Sequence, residues 1–218
     1  MVTPADRRQA IIDDITTAAK LARRDPGEVT LIAVSKTRGA DAIEQLIAAG
    51  QRHFGESRVQ EALAKWPPLL ERHPDITLHC VGRLQSNKAA EAVELFSLIH
   101  SLDRASLLDA LVREAGKQDR RPSVYVQVNI GEEEQKGGCA IGEVGDLVAA
   151  VRASPLPLAG LMAIPPLGVE PAPFFALLAE LARRHGVTGL SMGMSADFKS
   201  AVMLGATAVR VGTALFED

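Results

Sequence analysis

Residues 30–36, Thr30-Leu31-Ile32-Ala33-Val34-Ser35-Lys36, form an apolar run that ends in a lysine. The run predicts a buried β-strand. Strand periodicity places Ile32, Val34 and Lys36 on one face, so the ammonium group shares that face with core side chains. Burying an unpaired charge is costly, which leaves two alternatives for the amine. It reaches solvent at the end of the strand, or it loses its charge through a lowered pKa or a covalent bond to a carbonyl compound.

Helical patterns and apolar, β-branched runs alternate around this segment. Before it, Ile11, Ile12 and Ile15 recur at helical spacing and predict an amphipathic helix over residues 5–24. Eight strands are predicted, over residues 29–35, 53–56, 77–82, 95–101, 123–130, 158–164, 189–192 and 207–212. Helices are predicted between them, over residues 41–49, 59–70, 88–93, 104–117, 144–151, 174–185 and 196–204. In the helix over 104–117, Asp103 is the expected N-cap.

The repeated strand and helix pattern predicts a parallel sheet with right-handed crossovers. Eight strands favour a closed barrel over an open doubly wound sheet, because closure removes both sheet edges. The open sheet remains the alternative. We therefore predict an α/β fold in which residues 1–218 form one domain, a (β/α)₈ TIM barrel with an extra N-terminal helix.

Composition disfavours several classes of partner. The chain has 24 lysines and arginines against 27 aspartates and glutamates, a net charge of −3, and no basic tail or stripe that would follow a nucleic-acid backbone. No segment approaches the run of about 20 apolar residues that spans a membrane, and the N-terminus lacks the apolar core of a signal peptide. We expect a soluble, cytoplasmic protein that binds neither nucleic acid nor membrane.

The cysteines and histidines indicate neither a disulfide scaffold nor a metal site. Cys80 lies inside an apolar run and is expected in the core, whereas the role of Cys139, in a glycine-rich turn, stays open. The five histidines are scattered, without the spacing of metal ligands. We expect no bound metal.

Active sites of barrels of this kind lie at the carboxyl ends of the strands, and phosphate groups commonly bind after strands seven and eight. There, Ser195 is the expected N-cap of the helix over 196–204, beside free backbone N–H groups that would bind an anion. Gly212 and Thr213 add close backbone approach and a hydroxyl at the end of strand eight. Taken singly, each of these residues is explained as a cap or a turn; together they predict a phosphate site.

Arg210 is the second charged residue that strand alternation turns inward, because Val209 and Val211 occupy the face that packs on helices. A buried guanidinium needs an acceptor. That acceptor is an acid from a neighbouring strand, with Glu56 as the candidate, or a ligand atom such as the pyridine nitrogen of a cofactor.

Further polar groups are expected at the same rim of the barrel. They are Glu56, Ser57, Arg83, Gln85, Ser86, Asn87, Lys88 and Asn129, together with Met162 on strand six. Most of them could be helix caps. The acidic, glycine-rich segment 131–138 is expected to be a solvated loop without a catalytic role.

Six segments at predicted strand ends resemble the pyridoxal-phosphate homeostasis proteins, single-domain relatives of the N-terminal barrel of alanine racemase. The segments are 33–37 (AVSKT), 54–61 (FGESRVQE), 81–88 (VGRLQSNK), 160–165 (GLMAIP), 190–197 (LSMGMSAD) and 209–213 (VRVGT). The resemblance extends over almost the whole chain. Three positions depart from the family pattern: Ser57 replaces an asparagine, Arg38-Gly39 replaces Lys-Pro, and the chain ends at Phe216-Glu217-Asp218.

The resemblance implies a protein of vitamin B6 homeostasis that binds pyridoxal 5'-phosphate (PLP). It implies that Lys36 holds the cofactor as a Schiff base, that Arg210 faces the pyridine nitrogen, and that the phosphate is bound after strands seven and eight. The residues implied in cofactor binding are Lys36, Ser195, Arg210, Gly212, Thr213, Ser57 and Met162. Delivery of PLP to PLP-dependent apoenzymes is a further hypothesis.

Three functions stay open at this point. An arginine at the pyridine nitrogen disfavours protonation there, which weakens the cofactor as an electron sink and favours a binding protein without catalytic residues. The alternative is a weak PLP-dependent amino-acid racemase, although the resembled racemases use a tyrosine from a second domain, and the single tyrosine here, Tyr125, lies within strand five. The third is a phosphosugar enzyme in which Lys36 binds a sugar carbonyl. A monomer is expected, since no neighbouring subunit is needed to complete the site.

Overall fold

The computed structural model describes residues 2–216, and its eight parallel strands close into a barrel in chain order. The strands are β1 (Thr30–Val34), β2 (His53–Glu56), β3 (Thr77–Cys80), β4 (Leu98–Leu102), β5 (Ser123–Val128), β6 (Leu158–Ala163), β7 (Leu190–Met194) and β8 (Ala208–Val211). Pairing of β8 with β1 completes the ring, with Arg210 opposite Ile32. The predicted closed barrel is thus confirmed, and the open sheet is excluded.

Helices surround the barrel and connect consecutive strands. They are α1 (Pro4–Leu21), α2 (Ala40–Ala48), α3 (Val59–Lys65), α4 (Pro67–Arg72), α5 (Ala89–Leu95), α6 (Ala105–Gln118), α7 (Val144–Ala153), α8 (Ala172–Arg184), α9 (Phe198–Met203) and α10 (Thr213–Phe216). Helix α1 is the predicted extra helix. A capping box fixes its start, because Thr3 Oγ1 accepts from the Asp6 backbone N–H and the Thr3 N–H donates to the Asp6 carboxylate.

Element ends shift by up to three residues from the sequence prediction; the strand predicted over 95–101, for example, begins at Leu98, because Leu95 still belongs to α5. Three further details differ. The single helix predicted over 59–70 is two helices, because Pro67 lacks the N–H that would continue α3 and instead begins α4. Asp103 is not the N-cap of α6: Arg104 occupies that position without a side-chain cap, and Asp103 pairs with Arg104. Helix α10 was not predicted.

The core has two parts of different chemistry. Between the strands and the helices the packing is apolar, with fully buried residues such as Phe54, Trp66 and Phe175. Inside the barrel, by contrast, most buried side chains are polar, and these include His79, His100, Gln127, Ser191 and Arg210. Barrel interiors are ordinarily filled by branched apolar side chains. The buried polar side chains inside this barrel therefore depend on hydrogen bonds for their stability.

Both cysteines are buried free thiols. Cys80 lies in the core, as predicted. Cys139, whose role stayed open, extends the sheet beside β5: its backbone N–H donates to the Gln127 carbonyl, and its carbonyl accepts from the Asn129 N–H. Burial raises the pKa of each thiol to about 12.

Within residues 2–216, no helix has the length and apolar character of a membrane span. Over the same part of the chain, no group of three or more His, Cys, Asp or Glu side chains is arranged to hold a metal ion. The chain end at Glu217 and Asp218, where the sequence departs from the resembled family, lies outside the described residues.

Candidate functional site

A cavity of about 510 Å³ opens at the carboxyl ends of β1, β7 and β8, and we call it the Lys36 cavity. Its volume lies within the usual range of small-molecule sites. It is lined by Val34, Lys36, Thr37, Arg38, Ser57, Val81, Ile164, Met194, Ser195, Ala196, Arg210, Gly212 and Thr213. Six of the seven residues predicted for cofactor binding lie in this lining.

Lys36 is exposed in the turn that follows β1, with its side chain on the cavity wall. Its amine is therefore accessible both to solvent and to a ligand in the cavity. The turn is held firmly. Thr37 has a φ of +63°, in the left-handed region that side chains with a branched Cβ rarely occupy, and its N–H donates to Glu61 Oε1 at 2.5 Å. The Lys65 ammonium donates to the carbonyls of Ser35, at 2.9 Å, and Arg38, at 3.2 Å.

Glu56 supports this turn from the outer side of the sheet. Its side chain is fully buried, and Oε1 accepts from Ser35 Oγ at 2.6 Å and from Trp66 Nε1 at 2.9 Å. Lys65 Nζ lies 2.8 Å from the same oxygen. Glu56, the candidate acid for Arg210, is therefore not its acceptor, because Glu56 faces the helix layer, whereas Arg210 lies inside the barrel.

Arg210 is buried at the floor of the Lys36 cavity, as strand alternation predicts. One terminal nitrogen donates to Ser191 Oγ at 2.6 Å, and the other donates to the Ala163 carbonyl at 3.1 Å. Burial lowers the pKa of the guanidinium to about 10, so it stays protonated at neutral pH. Its acceptors come from β6 and β7, which fixes the group in place.

Ser195 connects the loops after β7 and β8. Its hydroxyl accepts from the Gly212 backbone N–H at 3.3 Å. The prediction that it is a helix N-cap was wrong, since α9 begins only at Phe198 and Asp197 precedes it. Asp197 closes the intervening turn by accepting from the Met194 N–H at 2.6 Å. Ser195, Gly212 and Thr213 are nevertheless brought to one wall of the cavity.

Ser57 and Met162 have different positions. Ser57 lines the cavity after β2, and the loop after β3 approaches it so closely that a Cβ at Gly82 would lie 2.1 Å from the Ser57 carbonyl oxygen. Only glycine permits that approach. Met162 is buried in the barrel interior and is absent from the cavity lining. It is therefore not a wall residue in this structure.

The charge of the Lys36 cavity is one-sided. Lys36, Arg38 and Arg210 contribute three cations, whereas its described lining contains no carboxylate. Such a lining suits an anionic ligand. The donor set also fits PLP: a primary amine for an aldehyde, a guanidinium for a ring nitrogen, and hydroxyl and backbone N–H groups for a phosphate.

Five of the other predicted rim residues line two neighbouring cavities that share Ser57 with the Lys36 cavity, whereas Asn87 lines neither of them. One, of about 830 Å³, contains Arg83, Gln85, Ser86 and Lys88 among its lining residues. The other, of about 400 Å³, includes Asn129 and also Lys136. Sequence reasoning missed the wall residues Thr37, Arg38, Val81, Ile164, Met194 and Ala196. Only their position could have identified them from the sequence, because each one ends a predicted strand or follows it closely.

Comparison with known proteins relates the whole chain to one family. The family model described as "Alanine racemase, N-terminal domain" matches residues 7–218. A "Pyridoxal phosphate homeostasis protein" of Pseudomonas aeruginosa is 40% identical over 222 residues, which cover 99% of this chain and 96% of that protein.

Two solved structures of PipY from Synechococcus elongatus PCC7942 share the architecture at 43% identity. The structure without PLP superposes with a TM-score of 0.82, and the structure with PLP bound superposes with a TM-score of 0.79. In each case the match covers 93% of this chain and 99% of PipY.

Proposed function

The chain belongs to the alanine racemase N-terminal domain family, and from that premise we propose that it binds PLP and serves in the intracellular homeostasis of this cofactor. The observation that carries the proposal is the Lys36 cavity, in which an exposed amine, a buried guanidinium and anion-binding groups converge on one space. The family relatives named for PLP homeostasis and the PLP-bound PipY structure support the same ligand.

Each wall of the cavity has a defined part in this proposal. Lys36 would hold PLP as a Schiff base, in which Nζ is joined to the aldehyde carbon by a C=N bond and the aldehyde oxygen is lost as water. Ser195, Gly212 and Thr213 bind the phosphate, and Ser57 lies at the rim on the side of β2. When bound, PLP supplies an electrophilic aldehyde conjugated to its ring. Met162, buried and level with Ser191 on the neighbouring strand, does not form part of the wall.

Arg210 directs the chemistry toward binding. As a donor that stays protonated, it would offer an N–H group to the ring nitrogen of bound PLP, which would disfavour protonation of that nitrogen. A nitrogen that stays unprotonated withdraws electrons weakly. We therefore infer that the protein holds PLP without turning over a substrate.

The location of Tyr125 supports a role other than racemisation. Racemisation needs a proton-transfer group on each face of the substrate carbon. Tyr125 is the single tyrosine of the chain, and it lines a separate cavity with Thr30 and Thr207 at the amino ends of the strands. No tyrosine, histidine or carboxylate lines the described part of the Lys36 cavity, so Lys36 has no evident partner for the second face.

We further propose that residues 1–218 act as one cytoplasmic, monomeric PLP-binding domain that delivers the cofactor to PLP-dependent apoenzymes. The exposure of Lys36 supports delivery, because water or another amine would reach a C=N bond formed there. Transfer of the chromophore to a purified apoenzyme, and light scattering for the mass in solution, test these two statements separately.

The decisive experiment is spectroscopic. The protein is incubated with PLP, freed of excess ligand and reduced with borohydride, which converts a C=N bond into a stable amine. We expect visible absorbance before reduction and a phosphopyridoxyl group on the peptide that contains Lys36. Lys36→Ala should lose both signals. The control Lys199→Ala, which removes an exposed lysine paired with Asp14, should retain them. A reduced adduct on Lys88 or Lys136 in the Lys36→Ala protein would contradict the assignment.

A second assay addresses the racemase alternative. Holoprotein is incubated with single enantiomers of amino acids, and chiral chromatography follows the opposite enantiomer. We expect no product above the rate given by free PLP at the same concentration. Product that depends on Lys36 would instead assign the protein to the racemases.

A further inference from the structure

Three histidines form a rising series inside the barrel. His53, His79 and His100 lie on the inner faces of β2, β3 and β4. His79 is level with Gly55, two residues beyond His53, and Leu98 is level with His79, so that His100 lies two residues further on. The stagger of barrel strands thus carries the series from the amino end of the barrel toward the floor of the Lys36 cavity.

Consecutive members of this series are within hydrogen-bond distance. His53 Nδ1 lies 3.1 Å from His79 Nε2, and His79 Nδ1 lies 2.9 Å from His100 Nε2. His100 Nδ1 lies 2.8 Å from Ser191 Oγ, the oxygen that also accepts from Arg210. We use the name histidine chain for the five connected residues His53, His79, His100, Ser191 and Arg210. It joins partly exposed His53 to the buried guanidinium at the proposed cofactor site.

The rings of the histidine chain are neutral. Burial lowers the pKa of His79 to about 3 and that of His100 well below its usual value, and it lowers the pKa of His53 as well. The positive charge of Arg210 adds to the effect at His100. A neutral imidazole has one N–H, so each ring donates on one side and accepts on the other.

The hydrogen bonds between the three rings can run in either of two directions, with all rings protonated on Nδ1 or all on Nε2. The hydrogen bonds of Ser191 differ between these two arrangements. If the rings carry their protons on Nδ1, His100 and Arg210 both donate to Ser191, and the hydroxyl proton has no further partner in the described part of the chain. If the rings carry their protons on Nε2, Ser191 donates to His100, and every proton between Arg210 and His53 is used. Buried polar groups are rarely left unpaired, which favours the second direction.

We propose that the histidine chain is a directed series of Nε2–H tautomers, in which His100, acting through Ser191, is a positioning residue for Arg210. When Ser191 donates to His100, its lone pairs are free for the guanidinium, and hydrogen bonds that share a donor and acceptor strengthen one another. Arg210 is thereby held with its remaining N–H groups toward the Lys36 cavity. The role in cofactor binding rests on the function proposed above.

The first test needs no cofactor. Long-range ¹H–¹⁵N NMR spectra of the protein without PLP distinguish Nε2–H from Nδ1–H tautomers, with His73 and His185, outside the barrel interior, as references. We expect His53, His79 and His100 to be neutral Nε2–H rings at pH 7.5. A proton on Nδ1 of His100, or a doubly protonated His79 or His100 ring, would overturn the proposal.

The second test compares two buried serines. Ser191→Ala removes one of the two acceptors of Arg210, whereas Ser101→Ala removes a buried hydroxyl beside the Cys80 thiol, outside the histidine chain. We expect Ser191→Ala to weaken PLP binding about tenfold, the effect of one hydrogen bond to a charged group, and to shift the visible absorbance maximum. His100→Phe, which keeps a ring against Tyr125, should shift the same maximum.

Ser101→Ala should change neither quantity. Unchanged affinity and absorbance in both Ser191→Ala and His100→Phe would refute positioning, even if the tautomers are as expected. If the natural chain does not bind PLP, the proposed function fails, and the NMR result still decides the direction of the histidine chain. If a variant does not fold, the tautomer measurement on the natural chain remains decisive.

Discussion

Lys65 Nζ lies 2.8 Å from Glu56 Oε1, and the two side chains form a buried ion pair directly behind the turn that presents Lys36. The glutamate is fully buried, and the lysine side chain is only 10% exposed. Since Lys65 also donates to the carbonyls of Ser35 and Arg38, the pair secures the backbone on both sides of Lys36. The position of the exposed amine therefore depends on a charge pair that lies outside the lining of the Lys36 cavity.

Removing the charge of Lys65 should lower the free energy of unfolding. Lys65→Met keeps the side-chain volume but leaves the Glu56 carboxylate buried without its cation, and such changes cost about 3–5 kcal/mol. We expect a loss of this size in the free energy of unfolding, measured by urea denaturation. The control Lys199→Met breaks an exposed pair with Asp14 and should cost less than about 1 kcal/mol.

The double variant Lys65→Met/Glu56→Gln completes this prediction. Because a neutral amide at position 56 needs no counter-ion, the second change should restore part of the loss caused by the first. Strictly additive losses would show that the two residues do not act as a pair.

The alternation of apolar strand segments with amphipathic helices was sufficient to predict the barrel, because eight repeated β/α units are compatible with few alternative topologies. Alternation within β8 likewise placed Arg210 inside. The same alternation rule, applied to β2, turns Glu56 outward. The sequence alone could therefore have excluded a pair between Glu56 and Arg210. Ser195 could not be placed as easily, since the Asp197 side chain closes a turn before α9 begins.

The histidine chain was beyond sequence reasoning. His53 and His79 are 26 residues apart, and His79 and His100 are 21 apart, so the sequence pattern shows three scattered histidines. They meet only because neighbouring strands are offset by two residues at each step. That offset follows from strand pairing, which local periodicity does not specify.

Acid should weaken the fold through the same histidines. Burial lowers the pKa of His79 from 6.5 to about 3. Between these two pH values the histidine is protonated in the unfolded chain and neutral in the folded chain. Stability therefore falls as the pH falls from about 6.5 toward 3, by about 1.4 kcal/mol per pH unit for each such histidine. His100, with its pKa lowered in the same direction, contributes in the same sense.

Urea denaturation at pH 7.5, 6 and 5 measures this slope. In His79→Gln the slope should decrease by about 1.4 kcal/mol per pH unit, because one proton fewer is taken up on unfolding. An unchanged slope in that variant would mean that other groups cause the acid sensitivity.

The two cysteines should be inert in the folded protein. Burial raises the pKa of each thiol to about 12, and only the thiolate reacts with disulfide reagents. We expect modification at pH 7.5 to be at least about 100-fold slower in buffer than in denaturant. Cys139→Ser distinguishes the two thiols: a fast phase that disappears in this variant would contradict the buried position of Cys139.

Gly193 should be irreplaceable at the end of β7. Its φ is +92°, and an added Cβ would lie 2.6 Å from the Ala201 Cβ, so Gly193→Ala combines backbone strain with a clash against α9. We expect a loss of about 2 kcal/mol or more in the free energy of unfolding and, since Ser195 follows, weaker phosphate binding. Gly116→Ala, inside α6 with open space around the new Cβ, should instead gain about 0.5–1 kcal/mol. If the two alanine variants are equally stable, the conformation assigned to Gly193 is wrong.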